Sequence, residues 1–209
     1  RMVYNYVDGN PSYSFQGGDA IYEDVNHDGQ INALDIVYLG NCLPKVNGGF
    51  NISLEYGRWN LKARFMYRYG NKVINQARMT LESMSTAYNQ ASSVNWRWRK
   101  DGDETLMPRA IYVYNDNSAY NYQGSSRYVE DGSFVRFQNL QVGYNFDPKQ
   151  LKKYGLNRLQ FYVTANNLFC WTRYSGVDPE VGYGGYGLSR DDAQTPRAKS
   201  FTLGLSVDF

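Results

Sequence analysis

Six residues with side-chain or backbone oxygens recur at a regular spacing within residues 24–35, which read DVNHDGQINALD. Counted from the first Asp, positions 1, 3, 5, 7, 9 and 12 are Asp24, Asn26, Asp28, Gln30, Asn32 and Asp35. Gly29 at position 6 permits a sharp turn. Hard oxygen ligands at this spacing wrap one Ca²⁺ ion, with the residue at position 7 contributing its backbone carbonyl. The spacing therefore predicts a calcium site, and the alternative is an Asx-rich turn that holds itself without metal.

The predicted calcium loop resembles those of EF-hands and dockerins. Ile31 at position 8 is the apolar residue that anchors such loops. Asp35 stands where an EF-hand has Glu, and dockerin-type loops also use this shorter side chain. A dockerin would carry a second copy of the loop, and the sequence has none. We therefore expect a structural calcium ion that pins one loop.

The sequence contains no catalytic constellation. The single histidine, His27, lies inside the predicted calcium loop, so neither a Ser–His–Asp set nor a zinc site can be built around it. No phosphate-cradling glycine loop is present either. We expect a protein that is not an enzyme.

Aromatic and basic residues form the candidate contacts for a cargo or a partner. They are Trp96, Arg97, Trp98 and Arg99, together with Tyr183 and Tyr186 of a Gly/Tyr-rich stretch. Such residues can stack on a sugar or engage a protein surface. The alternative is a packed loop whose cation–π pairs are purely structural.

The elements that must position these residues are amphipathic strands. In the final segment, FTLGLSVDF, apolar side chains occupy the odd positions and small or polar ones the even positions, as in a strand with one apolar face. The same alternation gives five predicted strands, over 50–56, 60–69, 134–146, 158–168 and 198–209. The parity changes near Gln138–Asn139, which indicates either a β-bulge or a change of surroundings at one rim of a barrel. Helical spacing over 72–88 predicts one amphipathic helix.

The connections between the predicted strands alternate between long and short. Outer-membrane barrels have this pattern, with short periplasmic turns and long extracellular loops. We predict an all-β chain: about five C-terminal strands of a large antiparallel transmembrane β-barrel. Its predicted parts are extracellular loops 1–49, 71–132 and 170–196, a hairpin over 50–70, a strand pair over 133–169 and the C-terminal strand 197–209. The apolar side chains at even positions of the first strand, and at odd positions of the second and last, are predicted to face lipid.

Composition and the chain ends are consistent with this prediction. The net charge is only +2, and Lys and Arg are scattered, which argues against a nucleic-acid partner. No run of about 18 apolar residues predicts a transmembrane helix. Cys42 and Cys170 are compatible with either a disulfide or two thiols. The chain opens on Arg1 without a signal peptide, so we expect a fragment.

The last strand ends on an aromatic residue. Phe209, together with Val207 and Leu205 on the same face, resembles the signal that barrel-assembly machinery reads in outer-membrane proteins. We predict that this face serves assembly.

Four stretches carry a family resemblance. They lie within residues 18–50, 125–144, 162–182 and 195–209 and include YEDVNHDGQINALD, YVEDGSFVRFQNLQVGY, VTANNLFCWTRYSGVDPEVG and KSFTLGLSVDF. Together they resemble the C-terminal part of SusC/RagA-type TonB-linked outer-membrane transporters.

The resemblance implies a barrel of about 22 strands with a plugged lumen. It also implies import of oligosaccharides or peptides across the outer membrane of a Gram-negative bacterium. The implied partners are a SusD-like surface lipoprotein, the TonB complex acting through a plug-bearing N-terminal part absent from this sequence, the rest of the barrel and the lipid bilayer. The alternative is a secreted, calcium-stabilised β-domain that binds carbohydrate and is soluble without detergent.

Overall fold

The computed structural model describes residues 5–6, 13–112, 120–182 and 189–209. The chain divides into two compact units. The loop unit comprises Arg1–Gly40, Ile74–Glu130 and Arg190–Ala193. The sheet unit comprises Asn41–Val73, Asp131–Ser189 and Gln194–Phe209.

Strands dominate the described residues. In chain order they are β1 (Asn5–Tyr6), β2 (Tyr13–Ser14), β3 (Gln30–Ile31), β4 (Val46–Tyr56), β5 (Trp59–Tyr69), β6 (Lys72–Asn75), β7 (Val129–Asp131), β8 (Phe134–Asn145), β9 (Arg158–Thr172), β10 (Arg190–Asp191) and β11 (Ser200–Asp208). The helices are short: α1 (Gln76–Leu81) and α2 (Pro148–Leu151). Single 3-10 turns cover Ala33–Asp35, Ser92–Trp96, Tyr120–Tyr122, Ser126–Tyr128 and Lys152–Tyr154.

The five long strands form one antiparallel sheet in the order β11-β9-β8-β5-β4. These are the five strands that the alternation predicts, and the prediction is confirmed, although β4 starts earlier and β9 ends later than expected. A two-residue turn at Gly57–Arg58 joins β4 to β5. Gly57 has φ +59°, a conformation that favours glycine in tight hairpins.

Register gathers the apolar side chains of the sheet on one face. Residues paired across antiparallel strands point to the same side of the sheet. Each row of partners therefore lies on one face and is either apolar or polar. One apolar row across all five strands is Leu54, Leu61, Val142, Val163 and Leu203. The next row, on the opposite face, is Ser53, Lys62, Gln141, Thr164 and Thr202. The apolar face is open to the surroundings, with Leu203 71% exposed.

The predicted bulge is present in β8. Phe65 pairs with Phe137 and Arg64 pairs with Asn139, so Gln138 is the extra residue opposite β5. The register with β9 also shifts between Phe137 and Asn139. The extra residue reverses the parity along β8, which explains why its apolar residues change from odd to even positions.

The polar face is closely packed at one glycine. A side chain at Gly204 would overlap the ring of Tyr162, because a Cβ there would lie 2.1 Å from the ring's Cζ. The tyrosine thus covers the neighbouring strand where it has no side chain of its own. Asn166 extends the polar contacts by accepting a hydrogen bond from Asn139 and donating one to Ser200.

The predicted helix over 72–88 is wrong in extent. Residues 72–75 form strand β6, which pairs with β7 and β10 and buries Val73 completely. Asn75 then caps α1 by accepting the Arg78 N–H, and α1 ends at Leu81. Met84, at φ +51°, lies outside the helical region. The helix is therefore shorter than its spacing predicts, because β6 pairs in a sheet at one end and the backbone leaves the helical conformation before Met84 at the other.

Small apolar clusters form the interior of each unit. Met84, Val94 and Met107 pack together in the loop unit, whereas Val73, Tyr174 and Val181 do so in the sheet unit. Cys42 and Cys170 are not joined by a disulfide. In the described part of the chain, no helix has the length and apolar character needed to cross a membrane.

Candidate functional site

The predicted calcium loop is tightly turned and organised by its own side chains. The Asp24 carboxylate accepts the Asp28 and Gly29 N–H groups at 3.2 and 2.9 Å. Asn26 Oδ1 accepts the Asp28 N–H at 3.1 Å, and Asp28 accepts the Gln30 N–H at 2.8 Å. The bonds from Asn26 and Asp28 to the N–H group two residues on are successive Asx turns, which fold residues 24–30 tightly.

Left-handed residues make this tight turn possible. Gly29 has φ +80° and His27 has φ +61°. Glycine adopts this conformation without steric cost, whereas for histidine it is uncommon. Positions 4 and 6 of the predicted loop are thus where the backbone reverses.

Asp35 closes the loop from its C-terminal side. Its carboxylate accepts the N–H groups of Val25 and Asn32 at 2.9 and 2.8 Å. The Asn32 N–H is the main cause that lowers the pKa of Asp35 below its ordinary value, so the side chain is charged at neutral pH. Asn32 in turn accepts the Leu34 N–H and caps the 3-10 turn.

The donor chemistry of the loop suits a hard cation, but the carboxylates alone do not make a site. Among the described residues, no group of three or more His, Cys, Asp or Glu side chains is arranged to hold a metal. Asn26 Nδ2 donates to Asp28 Oδ2 at 2.9 Å, which ties two predicted ligands to each other. Calcium would need the Asn oxygens and the Gln30 carbonyl as well. The calcium site therefore stays a prediction.

The structure separates the candidate contact residues. Trp96 is 79% exposed and lies with Arg97 and Arg99 along one open groove. The two guanidinium groups donate to the backbone carbonyls of Val94 and Asn95. Trp98 packs on Gly18 instead, where a Cβ would lie 2.3 Å from its ring.

Tyr183 and Tyr186, the other two candidate contacts, lie outside the described residues. Trp96, Arg97 and Arg99 are thus the predicted contacts that the structure brings together.

A buried carboxylate that the sequence analysis missed organises the loop unit. Asp19 accepts hydrogen bonds from the Tyr13 hydroxyl at 2.7 Å, from Arg109 at 2.6 Å and from Asn121 at 3.2 Å. Burial opposes its charged form, but the hydrogen bonds from Arg109, Gln16 and Tyr13 outweigh burial and lower its pKa. Burial and the Asp19 carboxylate raise the pKa of Tyr13 to about 12.

A second missed cluster surrounds Arg136 of β8. Its guanidinium lies 2.5 Å from an Asp178 carboxylate oxygen and 3.3 Å from one of Glu180, and it is nearly inaccessible to solvent. Arg197 also pairs with Glu180, at 2.6 Å. These ion pairs hold the segment after β9 against the polar face of the sheet. No local motif signals either cluster, because the partners are far apart in sequence.

The predicted assembly face runs along β11. Leu205 and Val207 pair with Phe161 and Leu159 of β9. Phe209 lies one residue beyond β11 and is 86% exposed. The apolar row therefore continues to the end of the sheet.

Comparison with known proteins places these features in a family. No family model matches the chain. It is 32% identical over 200 residues to TonB-dependent receptor P39 of Formosa agariphila, an alignment covering 93% of this chain and 19% of the relative. It is 35% identical over 86 residues to TonB-dependent receptor SusC of Bacteroides thetaiotaomicron, covering 41% of this chain and 8% of SusC.

Solved structures show the same fold. The structure of the RagAB peptide transporter matches with a TM-score of 0.68 at 25% identity, over 80% of this chain and 17% of that chain. The open-open state of the RagAB peptide importer matches with a TM-score of 0.71 at 24% identity, over 90% and 20%. The chain belongs to the SusC/RagA-type TonB-dependent receptors.

This receptor chain spans about a fifth of the length of the P39 relative. Its mostly β architecture and antiparallel sheet are similar to parts of the RagAB structures. The relatives are receptors and transporters rather than enzymes, in agreement with the prediction.

Proposed function

We propose that this chain forms C-terminal barrel strands of an outer-membrane receptor that imports oligosaccharides or peptides into a Gram-negative bacterium. A SusD-like lipoprotein would act with the receptor at the cell surface, and TonB would supply energy through a plug-bearing part outside this chain. The support is the family membership of the chain and the named activity of RagAB as a peptide transporter.

The observation that carries the membrane assignment is the exposed apolar face of the sheet. Phe201, Leu203 and Leu205 are all exposed, and their row partners extend across the five strands. Strands of 9 to 15 residues suit a bilayer crossing, which takes about 9–11 residues. A water-soluble domain would have to bury this face, which disfavours the secreted carbohydrate-binding alternative.

The opposite face suits a lumen. Lys62 and Arg64 of β5 and Arg158 of β9 project from the polar rows. Charges are tolerated on a barrel's lumen side, whereas at the lipid-facing midplane they cost about 2–4 kcal/mol each. In this orientation the long connections 71–132 and 170–196 lie outside the cell, and the turn at Gly57–Arg58 faces the periplasm.

We also propose that the 24–35 loop binds one structural calcium ion. The support is the ligand spacing, the left-handed residues at positions 4 and 6, and the Asx turns at Asn26 and Asp28. Asp24, Asn26, Asp28, Asn32 and Asp35 would hold the ion together with the Gln30 carbonyl. Calcium would neutralise the carboxylates and fix the loop.

Nutrient uptake tests the transport proposal. A strain that expresses the full-length receptor with its lipoprotein partner should deplete a defined mixture of oligosaccharides or peptides, and deletion of the receptor should abolish the depletion. Discharging the proton gradient should stop uptake but leave surface binding. Uptake that survives receptor deletion, or that ignores the gradient, would contradict the proposal.

A further inference from the structure

The loop unit contains a large open cavity beside the predicted calcium loop. Its volume is about 1020 Å³, and Ile31, Asn32 and Asp35 of the loop form part of its wall. Small-molecule pockets measure roughly 300–1,000 Å³, so this cavity is at the upper end of that range. Its size admits a short stretch of polypeptide as well as a small ligand.

Aliphatic side chains line this cavity and are exposed in it. Ile21 and Leu106 are 95% and 90% exposed, and Ile36 is 81% exposed. Val25, Val37 and Leu39 line the same cavity and are also exposed. Contiguous apolar surface of this kind marks an interaction site.

The polar lining of the cavity is acidic. Glu23, Asp103 and Glu104 contribute carboxylates, whereas Arg127 is the one cation among the described residues that line it. Arg127 is already engaged, since it donates to the Leu106 carbonyl and pairs with Glu82. Charge complementarity therefore favours an occupant with an apolar centre and a flanking Lys or Arg.

Permanence distinguishes the possible occupants. A cargo molecule, or a lid that opens, would leave these aliphatic side chains in water for part of each cycle. Permanent interfaces are the more apolar class, because their surfaces never return to solvent. The chain covers only 19% of the P39 relative, so most of a receptor of that length is available to supply a segment.

We infer that this cavity seats another segment of the same receptor, from outside these 209 residues, with an apolar centre and a basic flank. This inference rests on the family membership of the chain and not on calcium binding or cargo identity. Residues of the predicted calcium loop form part of the cavity wall, so the seated segment would pack against them.

Site-specific photo-crosslinking tests this inference in cells that express the full-length receptor and its lipoprotein. Leu106→p-benzoylphenylalanine places the probe in the cavity. Tyr88→p-benzoylphenylalanine is the matched control, because Tyr88 is also exposed in the loop unit but lies outside both the cavity wall and the predicted calcium loop. We expect the Leu106 variant to crosslink to receptor peptides outside residues 1–209 several-fold more than the Tyr88 variant does. Mass spectrometry should find Lys or Arg beside the crosslinked apolar residues.

Ile36→p-benzoylphenylalanine, another exposed position in the cavity wall, provides a second site if the first variant does not reach the surface. Predominant crosslinks to the lipoprotein, crosslinks that appear only with cargo, or no crosslink from a surface-exposed receptor would each overturn the inference. None of these readouts depends on transport, so loss of uptake with normal crosslinking would fault the proposed function alone.

Discussion

The twelve-residue loop 24–35 contains three carboxylates, those of Asp24, Asp28 and Asp35. Each accepts hydrogen bonds from backbone N–H groups, which partly offset its negative charge. Asp28 has a central role because it accepts from Gln30 and from Asn26 and would also ligate the ion. Removing this side chain deletes both the turn and a ligand. The hydrogen bonds of this side chain are to residues of the same loop.

We predict that Asp28→Ala in the full-length receptor disorders this loop before it affects the barrel. Limited proteolysis should cut the wild-type loop slowly with calcium and quickly after chelation. Asp28→Ala should be cut quickly in both conditions, whereas Glu23→Ala, which removes a charge just outside the loop, should behave like the wild type. Cleavage of the wild type that ignores calcium would remove the proposed metal site.

Asp19 should make the loop unit sensitive to acid. Its pKa is lowered in the folded state, so its contribution to stability is present above the ordinary pKa of about 3.9 and is lost as pH falls through the lower folded value. Proteolysis of the wild-type loop unit should therefore accelerate below about pH 4. Asp19→Asn should already be cut faster at neutral pH, and its acid dependence should be flatter.

Tyr13→Phe is the matched control for Asp19, since it removes the hydroxyl's hydrogen bonds to Asp19 and from Arg109 but leaves the Asp19–Arg109 ion pair intact. It should retain an acid transition, smaller than that of the wild type, because the hydrogen bonds from Arg109 and Gln16 still lower the pKa of Asp19. An Asp19→Asn receptor with an unchanged acid transition would show that this carboxylate does not control it.

The spacing in the sequence predicts a set of calcium ligands, which stays a prediction, whereas nothing in the sequence indicates the Asp19 cluster. A twelve-residue loop displays its ligand spacing directly in the chain. Asp19 and Arg109 are 90 residues apart, and only the folded chain brings them together. Arg136 lies among the polar residues of β8, and its partners Asp178 and Glu180 lie in a segment without periodicity, so no pattern in the chain links them.

At the scale of the strands, the two faces of β11 should respond differently to charge. In the proposed orientation Leu203 faces lipid near the middle of the strand, and Thr202 faces the lumen. Leu203→Arg should destabilise the full-length receptor by about 2–4 kcal/mol, the cost of Arg at a bilayer midplane. The measurement is reversible unfolding in lipid vesicles, followed by tryptophan fluorescence.

Thr202→Arg is the adjacent control, and we expect it to change the free energy of unfolding much less. Equal destabilisation by both variants would mean that the two faces meet similar surroundings. The membrane orientation would then be wrong.

Alternation was sufficient to predict the strands because strict alternation of apolar and polar residues over seven or more positions fits a half-buried strand and not a helical face. It even located the bulge at Gln138, where parity reverses. The 72–88 segment failed because Val73 and Ala77 fit a helical face equally well, and only pairing of β6 with β7 and β10 decides the outcome. The short sheets of the loop unit carry no pattern that a sequence could display.

At the scale of the whole receptor, Phe209 should matter for assembly more than for transport. Deleting Phe209 should lower the amount of receptor in the outer membrane, measured by surface labelling. Uptake per surface copy should remain near normal, because Phe209 continues the apolar parity of Leu205 and Val207 rather than that of a lumen-facing row. Phe209→Tyr, which keeps an aromatic ring at the membrane interface, is the control.

Normal surface amounts after the deletion would argue against the assembly signal. A loss of uptake per surface copy would instead mean that Phe209 takes part in transport. Its position beyond β11 makes either outcome easy to separate from unfolding of the sheet.

The edges of the five-stranded sheet have a practical consequence for anyone producing this chain alone. Among the described residues, β4 and β11 each pair on one side only, and both present exposed apolar side chains. Unprotected edges of this length recruit other copies by backbone pairing, which is how cross-β aggregates grow. The isolated polypeptide should accumulate in inclusion bodies, and refolding it without the remaining strands should yield fibrils or amorphous precipitate.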